Sequence, residues 1–262
     1  MPYELIEVKP KFDGQVIEIT IGPAPANIIS AQMIAEISAE LKRLELITRE
    51  TKDVKLILFS GEGKHFSYGA SVEEHQAELV GQMLPSFHKL MTQMLSMEIP
   101  TMAKVSGLCL GGGFELALAC GITICSSKAK FAVPEIQLGV FPPPASILLP
   151  YKIGETKAAE IVLSGQNCTA EEAFHWGWVN KVVEPELLDE TVVQFIEEII
   201  LPKSAVALRK ANKAVRIPIL AHFNAFVKQV ESLYLDDLMK TSDALEGIAA
   251  FIEKRPAKWT NT

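Results

Sequence analysis

The stretch "GLCLGGGFELALACG", residues 107–121, sets three consecutive glycines, Gly111, Gly112 and Gly113, against an apolar helical run, with one carboxylate, Glu115, near the start of that run. Glycine is a poor helix former, so three in a row need a local reason. The first backbone N–H groups of a helix have no intrahelical acceptor, and the helix dipole favours negative charge there. A residue without a Cβ lets a ligand atom reach such donors. The run therefore reads as an oxyanion donor mounted on a buried helix, and Glu115, three positions past Gly112, falls within about one turn of it.

A second acid, Glu135, follows in "FAVPEIQLG" (residues 131–139), where Pro134 fixes the local backbone. Two acids beside a polarising donor suit a reaction that takes one proton out and puts another in. Each feature also has a plainer reading. The glycines could serve close packing or a tight turn, Glu115 could be a charge matched to the helix dipole, and Glu135 a solvated loop acid. Other glycine motifs fail on specifics: no Lys-Ser/Thr follows as in a nucleotide P-loop, the G-x-G-x-x-G dinucleotide spacing is missing, and there is no G-x-S-x-G elbow.

Upstream, "ELIEVKPKFDGQVIEITI" (residues 4–21) is two β-type runs joined at Asp13-Gly14, a hairpin. Ser30 is placed to cap the amphipathic helix "AQMIAEISAELKRLELI" (31–47). Then "VKLILFSG" (54–61) reads as a buried strand, "GEGKHFSYGAS" (61–71) as a glycine-punctuated loop, and residues 72–97 as a long helical pattern interrupted by Pro85. A third pass gives "TMAKVSG" as strand and "FELALAC" as short helix, followed by the strands "ITICSS" and "KFAVPEI". Recurring strand-then-helix units predict an α/β fold with parallel pairing. From about residue 145 the pattern is helical, with residues 204–215 and 220–240 reading as separate helices. We divide the chain into a core, residues 1–200, and a C-terminal helical region, residues 201–262, that covers the core and packs against other subunits.

With 48% hydrophobic and 22% charged residues, the 262-residue chain has the composition of a globular protein. Its net charge of −7 repels polyanions, so no nucleic-acid partner is expected, and a phosphorylated ligand must be held by a few lysines and backbone amides. The four cysteines form no CxxC pair and no cluster with histidines, which predicts buried thiols and no metal site. "MPYELIEVKPKF" carries charges where a secretory signal needs an apolar block, and no run is long enough for a membrane span. The expected location is the cytoplasm.

The segment "GLCLGGGFELALACGITICSSKAKFAVPEIQLGVFP", preceded by "GEGKHFSYGAS" and followed by "LLPYKIGETKAAEIVLSGQNCTAEEAFHWGWVNKVV", resembles the enoyl-CoA hydratase/isomerase family, or crotonase superfamily, over nearly the whole chain. The resemblance implies a crotonase-like spiral of repeated β-β-α units with a C-terminal helical region, assembled as a trimer or a dimer of trimers. It implies an acyl-CoA thioester substrate, with CoA part of the substrate and no separate cofactor. The thioester carbonyl would be held by the backbone N–H groups of Ala70, after Gly69, and of Gly112, after Gly111. In hydrating members two glutamates hold water and move its protons, and they match Glu115 and Glu135. Lys64 matches a position where the family often carries a basic residue near the CoA phosphates.

Two departures from the family pattern border the acyl pocket: Ser71 stands where many members have aspartate, and "FPPPAS" (141–146) replaces a glycine-rich segment. Together "FSYGASVEEH" and "PEIQLGVFPPPASILLP" look most like the dienoyl-CoA hydratases of anaerobic aromatic degradation, which hydrate cyclohexa-1,5-diene-1-carbonyl-CoA. Tyr68 and Phe141 would bound a pocket for a rigid ring. The alternatives are a straight-chain enoyl-CoA hydratase, a double-bond isomerase and a catalytically silent, RNA-binding member. Glu74 and His75 are left out of the catalytic set.

Overall fold

Strand pairing begins at the Asp13-Gly14 turn. In the computed structural model, which describes residues 3–50 and 53–262, β1 (Ile6–Lys11) and β2 (Val16–Ile21) pair antiparallel from Ile6↔Ile21 to Lys11↔Val16. Phe12, Asp13 and Gly14 make the reversal with φ of 51°, 53° and 81°. The next helix, α1 (Ala31–Glu50), starts where Ser30 Oγ accepts the Met33 N–H at 3.3 Å. Glu74, an acid outside the predicted catalytic set, accepts the Ala31 N–H at 2.8 Å and so caps the same helix.

The chain continues through β3 (Leu56–Gly61), α2 (Ala77–Ser96), β4 (Thr101–Val105), β5 (Leu108–Leu110), α3 (Gly111–Ala119), β6 (Ile122–Ser126) and β7 (Lys130–Ala132). It ends with α4 (Pro143–Ile153), α5 (Glu155–Ser164), β8 (Cys168–Thr169), α6 (Ala170–Trp176), β9 (Lys181–Val183), α7 (Leu188–Phe195), α8 (Ala205–Ser232) and α9 (Ser242–Ile252). The strands form one sheet in the order β1-β2-β3-β4-β6-β9 and a smaller one, β5-β7-β8. From β2 onward every neighbour in the large sheet is parallel, as strand-then-helix recurrence predicts.

Alternation along β3 sorts the two faces. Ile57 and Phe59 point into the main core with α1 and α2, while Leu56 and Leu58 join Met102, Ile124 and the α7 residues Leu188 and Val192 on the other face. Between the two sheets lies α3, with every residue from Gly111 to Ala119 buried. Its Phe114 ring packs 5.3 Å from Phe131 and 5.2 Å from Trp178, which ties the helix to β7 and to the segment before β9.

Three expectations are corrected. The glycines form the first turn of α3 itself instead of preceding it, and the chain enters that turn through Gly111 with a left-handed φ of 48°, which a residue without a Cβ adopts freely. Neither Pro85 nor Pro218 breaks its helix: α2 and the single 28-residue α8 run straight through. Each proline frees the carbonyl four residues back, and Gly81 and Ala214 are both exposed, so water can serve those carbonyls. The segment after residue 145 is also not purely helical, since β9 adds a parallel strand to the large sheet through Ile124↔Lys181.

The loop from β3 to the predicted donor at Ala70 is held by a residue that the sequence does not single out. Asn27, fully buried with φ of 48°, donates from Nδ2 to the carbonyls of Glu62 (3.0 Å), His65 (2.9 Å) and Phe66 (3.1 Å). Asn27→Ala strands these carbonyls and forces a β-carbon-bearing residue to keep a left-handed conformation that asparagine tolerates better. We expect a loss of about 3 kcal/mol in urea unfolding.

Candidate active site

Ala70 is fixed from both sides. Ile29 N–H donates to the Gly69 carbonyl at 2.9 Å, and Ser71 N–H donates to the Ile29 carbonyl at 3.2 Å. Ser67 Oγ donates to the Asn27 carbonyl at 2.8 Å and accepts the Gly69 N–H at 3.0 Å. Among the described residues the Ala70 N–H itself has no protein acceptor. Gly112 is the second residue of α3, where an N–H has no intrahelical acceptor. A Cβ on Gly112 would lie 3.2 Å from the Ala70 nitrogen, so the two amides are neighbours.

Glu115 is 3% exposed and hangs from the middle of α3; its Oε1 accepts the Ala145 N–H at 2.8 Å. The "PPP" run explains that bond. Pro142, Pro143 and Pro144 have no N–H, so the first free donor at the N-terminus of α4 belongs to Ala145, and Glu115 takes it. Glu135 sits in a 3₁₀ turn, Pro134–Leu138, that ends at left-handed Gly139. Its Oε1 comes within 2.6 Å of where a Gly111 Cβ would be, and Gly111 has φ of 48°. Close approach and backbone conformation both require glycine there.

Tyr68, Gly69, Ala70, Gly111, Gly112, Glu115, Glu135 and Phe141 all line one cavity of about 70 Å³. Lys64 is exposed on the preceding loop and does not line it. Sites for drug-sized ligands usually measure about 300–1,000 Å³. This cavity is thus sized for the reacting end of a larger molecule. Met83, Leu84 and Phe87 of α2 complete its apolar wall; their helical spacing in the sequence marks a core face without saying what it faces. His75 also lines the cavity, with Nδ1 bonded to the Ser71 carbonyl at 2.7 Å and its pKa lowered by burial. Among the described residues no cluster of three or more His, Cys, Asp or Glu could hold a metal ion.

Burial pushes the Glu135 carboxyl up to about 7, and burial together with the Glu135 charge pushes Glu115 well above the usual range, opposed by the Ala145 N–H. Two such carboxylates share protons as a pair, one able to donate while the other accepts. A raised acid binds its proton more tightly folded than unfolded, so its penalty is absent below about pH 4.5 and grows as pH rises through about 7. We therefore expect Glu135→Gln to gain stability relative to the wild type as pH rises from 5 to 8 and to be the more stable protein at pH 8, as measured by urea midpoints; the opposite contributions of buried His75 and His88 are common to both proteins and drop out of the difference.

The sequence profile described as "Enoyl-CoA hydratase/isomerase" matches residues 11–262. The chain is 36% identical over 249 residues to a cyclohexa-1,5-dienecarbonyl-CoA hydratase of Thauera aromatica, covering 95% of this chain and 94% of that one. It is 34% identical over 265 residues to a probable enoyl-CoA hydratase of Rhizobium meliloti, covering 99% of both. A crystal structure of an enoyl-CoA hydratase from Mycobacterium avium subsp. paratuberculosis superposes with a TM-score of 0.85 over 99% of this chain and all of that one; at 24% identity this speaks for the fold.

Proposed function

The chain belongs to the enoyl-CoA hydratase/isomerase family, and on that premise we propose that it adds water to a conjugated dienoyl-CoA thioester. The substrate in this reading is cyclohexa-1,5-diene-1-carbonyl-CoA and the product 6-hydroxycyclohex-1-ene-1-carbonyl-CoA. One observation carries it: two buried carboxyls with raised pKa values share a small cavity with the amides of Ala70 and Gly112.

The thioester oxygen accepts from those two N–H groups, which stabilise the charge that gathers there as the ring is attacked. The water oxygen bonds to the β carbon and gives its proton to the ionised carboxylate. The electron pair runs through the conjugated system to the carbonyl oxygen, and the protonated carboxyl delivers its proton to the far end of the diene. One water is added, the proton count closes and no electrons are exchanged with another molecule, so the chemistry calls for no redox cofactor. Rigid Pro142 and Pro143 with Phe87 and Phe141 bound the cavity, which suits a compact ring better than an extended chain. The named activity of the Thauera aromatica relative supports the same substrate.

Homo-oligomerisation is part of this reading, with Val215, Ile217 and Phe226, exposed on α8, as the surface to be covered. The four cysteines are free and buried, in keeping with a reducing cytoplasm, and no described helix is long and apolar enough to cross a membrane. Incubation with crotonyl-CoA and, separately, the cyclic dienoyl-CoA, followed by mass, tests the substrate. We expect the cyclic ester to gain one water with a kcat/KM about 10²-fold above that for crotonyl-CoA. A preference for crotonyl-CoA, or an unchanged product mass, would overturn it.

A further inference from the structure

Two polar atoms near the cavity are enclosed without a partner: the Tyr234 hydroxyl and Glu135 Oε2. Buried polar groups are nearly always satisfied, by ordered water if not by protein. Tyr234 is 1% exposed, and its ring packs edge-on against Phe141, a wall of the cavity, at 5.3 Å between centroids. It lies in a π-helical turn, Leu233–Asp237, at the end of α8, a local irregularity that often marks a functional position. The charges of Glu135 and Glu115 both reach it, adding to burial in holding its hydroxyl in the protonated, donating form.

We propose that Tyr234 is a positioning residue whose hydroxyl donates to a water that in turn donates to Glu135 Oε2 and so favours the ionised form of Glu135. A phenol and a carboxylate are complementary partners, and two enclosed polar groups are enough to hold a water. Other titratable groups on the surrounding elements have interactions of their own. His75 donates through Nδ1 to the Ser71 carbonyl, and His88 on α2 donates through Nδ1 to Glu231 at 2.7 Å; the His88 Nε2 is also enclosed without a partner, but in a neutral ring whose Nδ1 donates it carries no hydrogen to give. Lys152 and Arg216 influence Cys120 beyond the C-terminal end of α3, where Arg216 also donates to the Ala119 carbonyl. On α9, Asp243 accepts from Thr260 and Asn261, and Glu246 from Arg255 and Lys258; on α5, Glu160 pairs with Lys157. Tyr234 is thus the donor left to bias the pair.

This assignment rests on the hydratase reading, and its test has an arm that does not. Tyr234→Phe keeps the ring against Phe141 and removes only an enclosed hydroxyl, so the thermal midpoint should hold or rise. With the cyclic dienoyl-CoA, kcat should fall about tenfold at unchanged KM, and the limb of the pH profile that reports Glu135 should move to higher pH. In ligand-free protein with ¹³C-labelled glutamate carboxyls, loss of a donor to a carboxylate must raise the titration of Glu135. In wild-type protein, the Tyr234 ζ-carbon resonance should follow the same titration, a check that needs no variant to fold. An unmoved Glu135 titration, or a Tyr234 resonance blind to it, overturns the inference even if the enzyme turns over. A moved titration in a protein that hydrates no ester overturns the hydratase reading alone.

Discussion

Glu115→Gln and Glu135→Gln should each lower kcat by about 10²–10⁴-fold while leaving the affinity for a non-reactive acyl-CoA ester nearly unchanged. The amide keeps the shape of each side chain and, at position 115, an oxygen that can still accept the Ala145 N–H, so the backbone around α3 and α4 has no reason to move. What disappears is the ability to hold and release a proton. In the proposed reading the thioester oxygen is taken by the backbone amides of Ala70 and Gly112, which neither substitution alters, and the nucleotide is too large for the 70 Å³ cavity that the two acids line. Calorimetric titration with a saturated acyl-CoA separates the two effects. Loss of binding in both variants would mean that the carboxylates shape the pocket and do no proton chemistry.

The double variant adds a sharper condition. Because the charge of Glu135 helps keep Glu115 protonated, each acid sets the state of the other. Removing both should therefore reduce kcat by little more than the worse single variant, since a pair that works as a unit fails when either half is gone. Additive losses would point to independent roles.

The parts of this site that were legible in the sequence are those that local chemistry dictates. Three glycines at a helix start have few uses, and Glu115 follows them within a turn. The Asp13-Gly14 hairpin and the alternation in residues 54–61 are likewise local signals. The strand β9 was not legible, because three residues carry no period and its partner Ile124 is more than fifty positions away. Pro85 misled for the opposite reason, and so did the gap between the helices read at 204–215 and 220–240, where Pro218 lies: a proline signals locally, whereas its tolerance depends on whether the freed carbonyl finds water. Only the family resemblance marks the prolines of "FPPPAS" as a pocket border, and their effect on Glu115, leaving Ala145 as the first donor of α4, needs two helices brought together. Tyr234 gave no signal at all, since an aromatic residue on an amphipathic helix reads as core until its hydroxyl is seen to be alone beside two acids.

Gly113→Ala should be far more damaging than its chemistry suggests. Alanine is favoured over glycine within a helix by about 1 kcal/mol, and Gly113 has no positive φ to lose, so local propensity alone would make this change stabilising. Its Cβ, however, would stand 2.5 Å from Ser67 Cβ and 2.7 Å from Ser67 Oγ. Ser67 is the residue that ties Gly69 and Asn27 together one step before Ala70, so the loop cannot yield without carrying the Ala70 N–H away from Gly112. Overpacking of this kind costs about 1–3 kcal/mol. Misplacing one donor of an oxyanion site lowers turnover by about 10²–10³-fold. Gly81→Ala supplies the contrast: that glycine is exposed inside α2 with nothing within 4 Å of its added carbon, and it should be neutral or slightly stabilising with turnover intact. The decisive measurement is the infrared carbonyl stretch of a bound acyl-CoA, which should lose part of its shift to low frequency in Gly113→Ala but not in Gly81→Ala. A Gly113→Ala protein with wild-type turnover and an unaltered stretch would mean that the amides of Ala70 and Gly112 do not act together on the thioester oxygen.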